Sequence, residues 1–162
     1  AGEEPEAFDV AELISACAEG YRQLSAEHRL EVQIAAGDYR LIGMPELVVQ
    51  LLDKLVDNAF GFAPPGAGVW LRLRRSAEGV ELSVANEGTT LPVRMQDRLF
   101  DSMVSLREQP DDGPHLGLGL YIVRLVAQLH DGHVQARNLP GEAGVEFRVL
   151  LRDAAVPSGS RV

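Results

Sequence analysis

The sequence predicts a single domain of the α/β class, and three observations predict it. Apolar residues recur at three- and four-residue steps in three separate segments, each long enough for a helix. Around these segments lie shorter stretches in which apolar and polar residues alternate, the period of a half-buried strand. The 162 residues, 46% apolar and 24% charged, suffice for one real core and are too few for two comfortable ones.

Asp9 caps the first helix, and Val10, Leu13, Ile14, Cys17, Tyr21 and Leu24 carry its apolar stripe to about Ser25. Leu30, Val32 and Ile34 then alternate with Glu31 and Gln33, and Tyr39 to Ile42 follow Gly37-Asp38, giving two short strands. The second helix starts at Met44, with Pro45 tolerated in its first turn, and sets Leu47, Val48, Leu51, Leu52, Leu55, Val56 and Ala59 on one face. Gly61 and then Pro64-Pro65-Gly66 announce its end. A hairpin follows, with Val69, Leu71 and Leu73 on one strand, a turn at Ala77-Glu78-Gly79, and Val80, Leu82 and Val84 on the other. From Gly88 to Leu116 the chain turns polar, with a short apolar helix expected around Met95 to Met103; a connection that long is usually functional or mobile. Gly117 to His130 form a third helix with Leu118, Tyr121, Ile122, Leu125, Val126 and Leu129 on one side. Leu120 and Val123 widen that stripe, so the helix is expected to be deeply buried. Strands around His133 to Arg137 and Val145 to Arg152, joined by Leu139-Pro140-Gly141, close a domain taken as residues 1–155, before a flexible tail at 156–162.

Fifteen basic against twenty-four acidic side chains give a net charge of −9, which argues against a nucleic-acid partner, since a phosphate backbone needs a basic stripe. The lone Cys17 has no partner for an internal disulfide, and no Cys/His cluster suggests structural zinc. No apolar run approaches a membrane span, so no direct membrane contact is expected of this stretch. The opening residue is Ala and the tail is rich in Pro, Ser and Gly, which suggests a domain excised from a longer parent.

Three features carry chemistry. On a helical wheel Asn58 falls between Leu47 and Leu51, inside the apolar stripe. A buried amide without partners costs about 1–3 kcal/mol, so Asn58 needs backbone groups, water, or a ligand with its metal. Continuing the inward phase of Val80, Leu82 and Val84 reaches Asn86, a second amide aimed at the same side, and Gly88 follows, where a missing side chain lets a planar ring approach. Gly117-Leu118-Gly119-Leu120 opens the third helix, whose first N–H groups form an anion site suited to phosphate. Each has a plainer reading: a satisfied core amide, a turn, a close-packing glycine loop. A dinucleotide-binding fingerprint is excluded because Ile122 occupies the third glycine position, and no P-loop motif is present.

Taken together, LLDKLVDNAFGFAP (51–64), VANEGTTLP (84–92), LFDSMVSLR (99–107) and HLGLGLYIV (115–123) resemble, in order and spacing, the N, G1, F and G2 boxes of sensor histidine kinases. The resemblance implies their ATP-binding catalytic domain, a two-layer α/β sandwich of the Bergerat type with a mixed sheet packed against helices, ATP and Mg²⁺ as cofactors, and a mobile ATP lid from about Thr89 to Leu116. It implies that Asn58 ligates Mg²⁺ and acts in catalysis, that Asn86 recognises adenine with Gly88 against the ring, and that Gly117 and Gly119 cradle phosphate. Leu116, Leu118 and Leu120 beside them, and Arg107 and His115 in the lid, join the cofactor-binding candidates.

Departures accompany the match. Lys54, the only lysine in the chain, stands where an Asn is usual, and Gly61 where a Lys is usual, so Lys54 is a catalytic candidate whose charge replaces the missing one. Asn86 replaces an Asp, Thr90 and His115 replace glycines, and Met103 replaces a Phe. None of His28, His115, His130 and His133 sits in an acceptor motif, so the implied partners are an upstream dimerisation and histidine phosphotransfer domain and, through the parent, a response regulator. The implied setting is cytoplasmic, with anchoring of the parent in the inner membrane left open. A degenerate nucleotide-binding signalling module, or a serine kinase or ATPase of the same fold, is the competing reading.

Overall fold

A computed structural model describes residues 4–92 and 117–154. The elements are β1 (Glu6–Asp9), α1 (Val10–Leu24), β2 (Arg29–Ile34), β3 (Arg40–Gly43), α2 (Pro45–Phe62), β4 (Gly68–Arg75), β5 (Val80–Glu87), α3 (Gly117–Leu129), β6 (His133–Asn138) and β7 (Gly144–Leu151). Five strands form one mixed sheet in the order β2-β4-β5-β7-β6. The β2–β4 pair is parallel, which requires a crossover, and α2 lies within it; the other pairs are antiparallel.

The expected sandwich is present. Val69, Leu71 and Leu73, Val80, Leu82 and Val84, and Val145, Phe147, Val149 and Leu151 turn inward from three adjacent strands and are essentially inaccessible. Against them pack Leu51, Leu52, Leu55 and Ala59 of α2 and Val10 and Ile14 of α1. Each such leucine contributes roughly 1.5–3 kcal/mol by leaving water. Asp9 caps α1 as its sequence position suggests, its Oδ1 accepting from the N–H groups of Ala11 (2.8 Å) and Glu12 (3.2 Å). Among the described residues no helix is long and apolar enough to cross a membrane.

Three local expectations change. Glu6–Asp9 forms a strand that periodicity did not show, because four residues give too short an alternation; it pairs with β3, Phe8 opposite Leu41, in a separate two-stranded ribbon. The end of α2 comes at Phe62 rather than Gly61, where Pro64 excludes a further turn. In α3 the buried residues are Leu120, Val123, Val126 and Ala127, whereas Leu125 and Leu129 are 40% and 51% exposed. The helix therefore turns only one edge of its broad stripe inward, toward α2 and the sheet. The segment expected to hold the Met95–Met103 helix lies outside the described residues.

Candidate functional site

The second helix places Asn58 where the wheel puts it. The residue is buried among Leu55, Val56 and Ala59, and its Nδ2 meets no hydrogen-bond partner among the described residues. On β5, Asn86 is fully buried between Val69 and Val145 of the neighbouring strands. Its Nδ2 donates to the Glu87 carbonyl at 3.1 Å, while its Oδ1 is buried and unpartnered. Elements α2 and β5 pack directly on each other. One donor and one acceptor are thus left unsatisfied on adjoining elements, each at about 1–3 kcal/mol.

Lys54 lies one turn before Asn58 on α2 and is exposed. A side chain on Gly119 would come within 3.3 Å of the Lys54 Cδ, so the lysine stem lies across the first turn of α3, and the bare glycine makes room for it. Leu120 is buried beneath that turn. Gly117 begins α3 and Leu118 follows in its first turn, but the Leu118 side chain, like Arg107, His115 and Leu116, falls outside what the structure describes.

Gly88 needs its missing side chain for a packing reason beside the ring approach that the sequence suggests. Its φ is +138°, and a Cβ there would stand 2.9 Å from the Phe62 carbonyl and 3.0 Å from Pro64. The glycine lets the end of β5 pass close to the end of α2.

A cleft of about 610 Å³ runs over α2 toward α1, lined by Lys54, Asp57, Asn58 and Gly61 on one side and by Tyr21, Ser25 and His28 on the other. The Tyr21 hydroxyl donates to Asp53 Oδ1 at 2.5 Å, and burial together with that carboxylate holds the phenol well above its ordinary range. His28 stacks on Phe60, accepts from the Ser25 hydroxyl and donates through Nε2 to the Ala63 carbonyl at 2.8 Å. Among the described residues no three acidic, His or Cys side chains converge as a metal cage. A Mg²⁺ at Asn58 is compatible with that, because this ion commonly takes one or two protein ligands and completes its shell with phosphate oxygens and water. The unpartnered Nδ2 of Asn58, which lines this cleft, fits a phosphate acceptor, and the unpartnered Oδ1 of Asn86, which does not line it, fits an amino donor.

Two polar residues that hold this region together were not singled out by sequence reasoning. Asn138, at the end of β6, accepts from the Leu91 N–H at 2.7 Å and donates to the Leu91 carbonyl at 2.9 Å, fastening the chain just beyond Gly88. It falls on the inward phase after Val134 and Ala136, the same signal that exposed Asn86. His130 is fully buried after α3; its Nδ1 donates to the Val126 carbonyl at 2.8 Å and its Nε2 accepts from the Met44 N–H at 3.0 Å. The inward series Leu120, Val123, Ala127 leads to it by helical spacing.

Comparison with known proteins agrees with the geometry. Residues 43–155 match the family of histidine kinase-, DNA gyrase B- and HSP90-like ATPases. The sensor protein DivL of Caulobacter vibrioides is 35% identical over 134 residues, covering 83% of this chain and 16% of DivL. The sensor-like histidine kinase SenX3 of Mycobacterium tuberculosis is 30% identical over 147 residues, covering 88% of this chain and 35% of SenX3. The chain therefore spans only a minor part of these curated relatives. Among solved structures, the mycobacterial sensor histidine kinase MprB superposes with a TM-score of 0.78 at 24% identity, over 93% of this chain and 99% of that one. The chain belongs to the histidine kinase-, DNA gyrase B- and HSP90-like ATPase family, and it shares the fold of the sensor histidine kinase MprB.

Proposed function

We propose that this domain binds Mg-ATP over α2, β5 and the start of α3, and that in its parent it delivers the γ-phosphoryl group to a histidine on an upstream dimeric helical domain. The observation that carries the reading is the pair of buried amides, each with one unsatisfied atom, on adjoining elements. When bound, Mg-ATP supplies the transferable phosphoryl group and a cation that neutralises its oxygens.

The chain's own residues do the positioning. Asn58 offers its carbonyl oxygen to the metal and its unpartnered N–H to a phosphate oxygen. Asn86 accepts from the adenine amino group through Oδ1, and the Nδ2 bond to Glu87 keeps that oxygen, rather than the NH₂, turned to the ligand. The neutral amide lacks the charge assistance of the usual carboxylate, so adenine is held more weakly. Lys54 places the chain's only lysine ammonium at the phosphate end, with its stem steadied on Gly119, in the role vacated at Gly61. The first N–H groups of α3, from Gly117 to Leu120, present the positive end of the helix to the same anion. Leu116, Arg107 and His115 remain cofactor-binding candidates by their place in the motifs. The domain works on the cytoplasmic side, and the parent passes the phosphoryl group to a response regulator.

Titration calorimetry with ATP, with and without Mg²⁺, and with GTP as control, tests the binding. Mg-dependent heat with ATP and a clear preference over GTP are expected; equal affinity for GTP contradicts the role of Asn86. Radiolabelled ATP supplied with the upstream helical domain should label that domain and not this chain. Binding without transfer, even in the full-length parent, would leave a nucleotide-binding signalling module.

A further inference from the structure

The face of the sheet turned away from the helices carries a groove of about 510 Å³, open to solvent, that the nucleotide site does not use. It lies over β4, β5, β6 and β7 and reaches the β2 edge. Arg72, Arg74, Arg137 and Arg148 line it against two carboxylates, Glu81 and Glu146. This is a local surplus of positive charge on a chain whose net charge is −9.

The arginines are held in place. Glu146, with its side chain 5% exposed, receives Arg137 Nε at 2.7 Å and an Arg148 Nη2 at 3.1 Å. Glu81 receives Arg74 at 2.8 Å and lies 3.7 Å from Arg148. Arg72 is held by a neutral group, donating through Nε to Gln33 Oε1 at 3.0 Å, and its guanidinium lies 5.7 Å from the Trp70 ring. Two glutamates thus organise three arginines, and Arg72 adds a charge without drawing on either carboxylate. The acidic residues at the other end of this face are engaged locally: Glu31 accepts from Gln33, and Glu87 accepts from the Gly68 N–H and pairs with Arg29.

We propose that this groove docks an acidic polypeptide segment of a protein partner. Its composition favours that occupant: four arginines line it, and arginine concentrates where interfaces hold most tightly. Guanidinium forks already braced by carboxylates lose little further freedom on meeting new carboxylates, and bidentate pairing selects planar anions. The surface lies across the sheet from Asn58 and Asn86, so its occupancy and nucleotide binding can be measured separately.

The probe is a fluorescein-labelled, capped deca-glutamate peptide, followed by anisotropy, with the emission of Trp70, the only tryptophan, as an internal reporter. Saturable binding is expected, with a change in Trp70 emission, no response to deca-lysine, and loss of binding as salt rises from about 0.1 M to about 1 M. Arg72→Glu should weaken the peptide by about tenfold while leaving Mg-ATP affinity unchanged, which also shows that the variant is folded. Three results would overturn the proposal: no saturable binding, binding that survives Arg72→Glu intact, or an equal Trp70 response to inorganic phosphate, which would make the groove a small-anion site. Because the readout is peptide binding, its failure leaves the nucleotide reading standing, and failure of Mg-ATP binding leaves the groove to be judged by the peptide alone.

Discussion

Two regions of this molecule treat their buried polar side chains in opposite ways. At the corner where α3 meets β3 and α2, His130 is fully enclosed and both of its ring nitrogens are engaged, one on Val126 and one on Met44. Where α2 faces β5, Asn58 and Asn86 are as deeply enclosed, yet each leaves one atom without a partner. The first region uses polarity to hold elements together. Its bond to the Met44 N–H satisfies the N-cap residue of α2, which has no side-chain cap of its own. The second carries a penalty of about 1–3 kcal/mol per group that a bound ligand can offset. The difference teaches that burial of a polar group does not separate structure from function, whereas the tally of its hydrogen bonds does.

The comparison can be sharpened from either side. The largest effect is expected at His130. His130→Ala removes two buried hydrogen bonds and leaves a cavity, so chemical denaturation should show a loss of about 2–4 kcal/mol, with Mg-ATP affinity nearly unchanged where the protein remains folded. A collapse of nucleotide affinity without loss of stability would break the division between the regions. Next comes Lys54, whose exposed stem gives the fold little. Lys54→Ala should weaken ATP by about 1–2 kcal/mol and ADP by clearly less, measured by calorimetry, because the γ-phosphate carries the distinguishing charge. Equal losses for both nucleotides would reduce Lys54 to a packing residue over Gly119.

The smallest effect concerns Tyr21. Its phenol is held far above the ordinary value of 10 by burial and by Asp53, so the unfolded chain ionises this tyrosine before the folded one does. The stability it contributes is therefore whole below pH 10 and is lost as pH rises beyond it. Tyr21→Phe should cost about 1 kcal/mol at neutral pH and flatten the alkaline decline in denaturant midpoint; an unchanged alkaline slope would show that Tyr21 does not set it.

Much of this was legible in the sequence, for identifiable reasons. Asn58 and Asn86 stand at polar positions within long apolar phases, Leu47 to Ala59 and Val80 to Val84, and a long phase fixes direction well. The β1–β3 ribbon was hidden because Glu6–Asp9 is too short to show a period. In α3 nearly every position is apolar, so periodicity had no contrast with which to choose between Leu120–Ala127 and Leu125–Leu129 as the inner edge. The packing constraint on Gly88 was likewise out of reach, since it depends on the approach of Phe62 and Pro64 from another element. So was the placement of Lys54 on Gly119, two residues far apart in the chain that meet only when α2 and α3 pack.

The most direct test of the contrast is the unfolding free energy of Asn58→Leu, measured by denaturant titration with and without Mg-ATP. Replacing an unpartnered amide with an apolar side chain branched at the same carbon removes a buried penalty, so the variant without nucleotide should be at least as stable as the parent chain. Mg-ATP at a hundredfold excess over its dissociation constant should stabilise the parent chain by about 2.7 kcal/mol and leave the variant unmoved. A variant that loses 2 kcal/mol or more (roughly one satisfied buried hydrogen bond and its desolvation) yet keeps the full Mg-ATP increment would contradict the reading, making Asn58 a structural residue like His130.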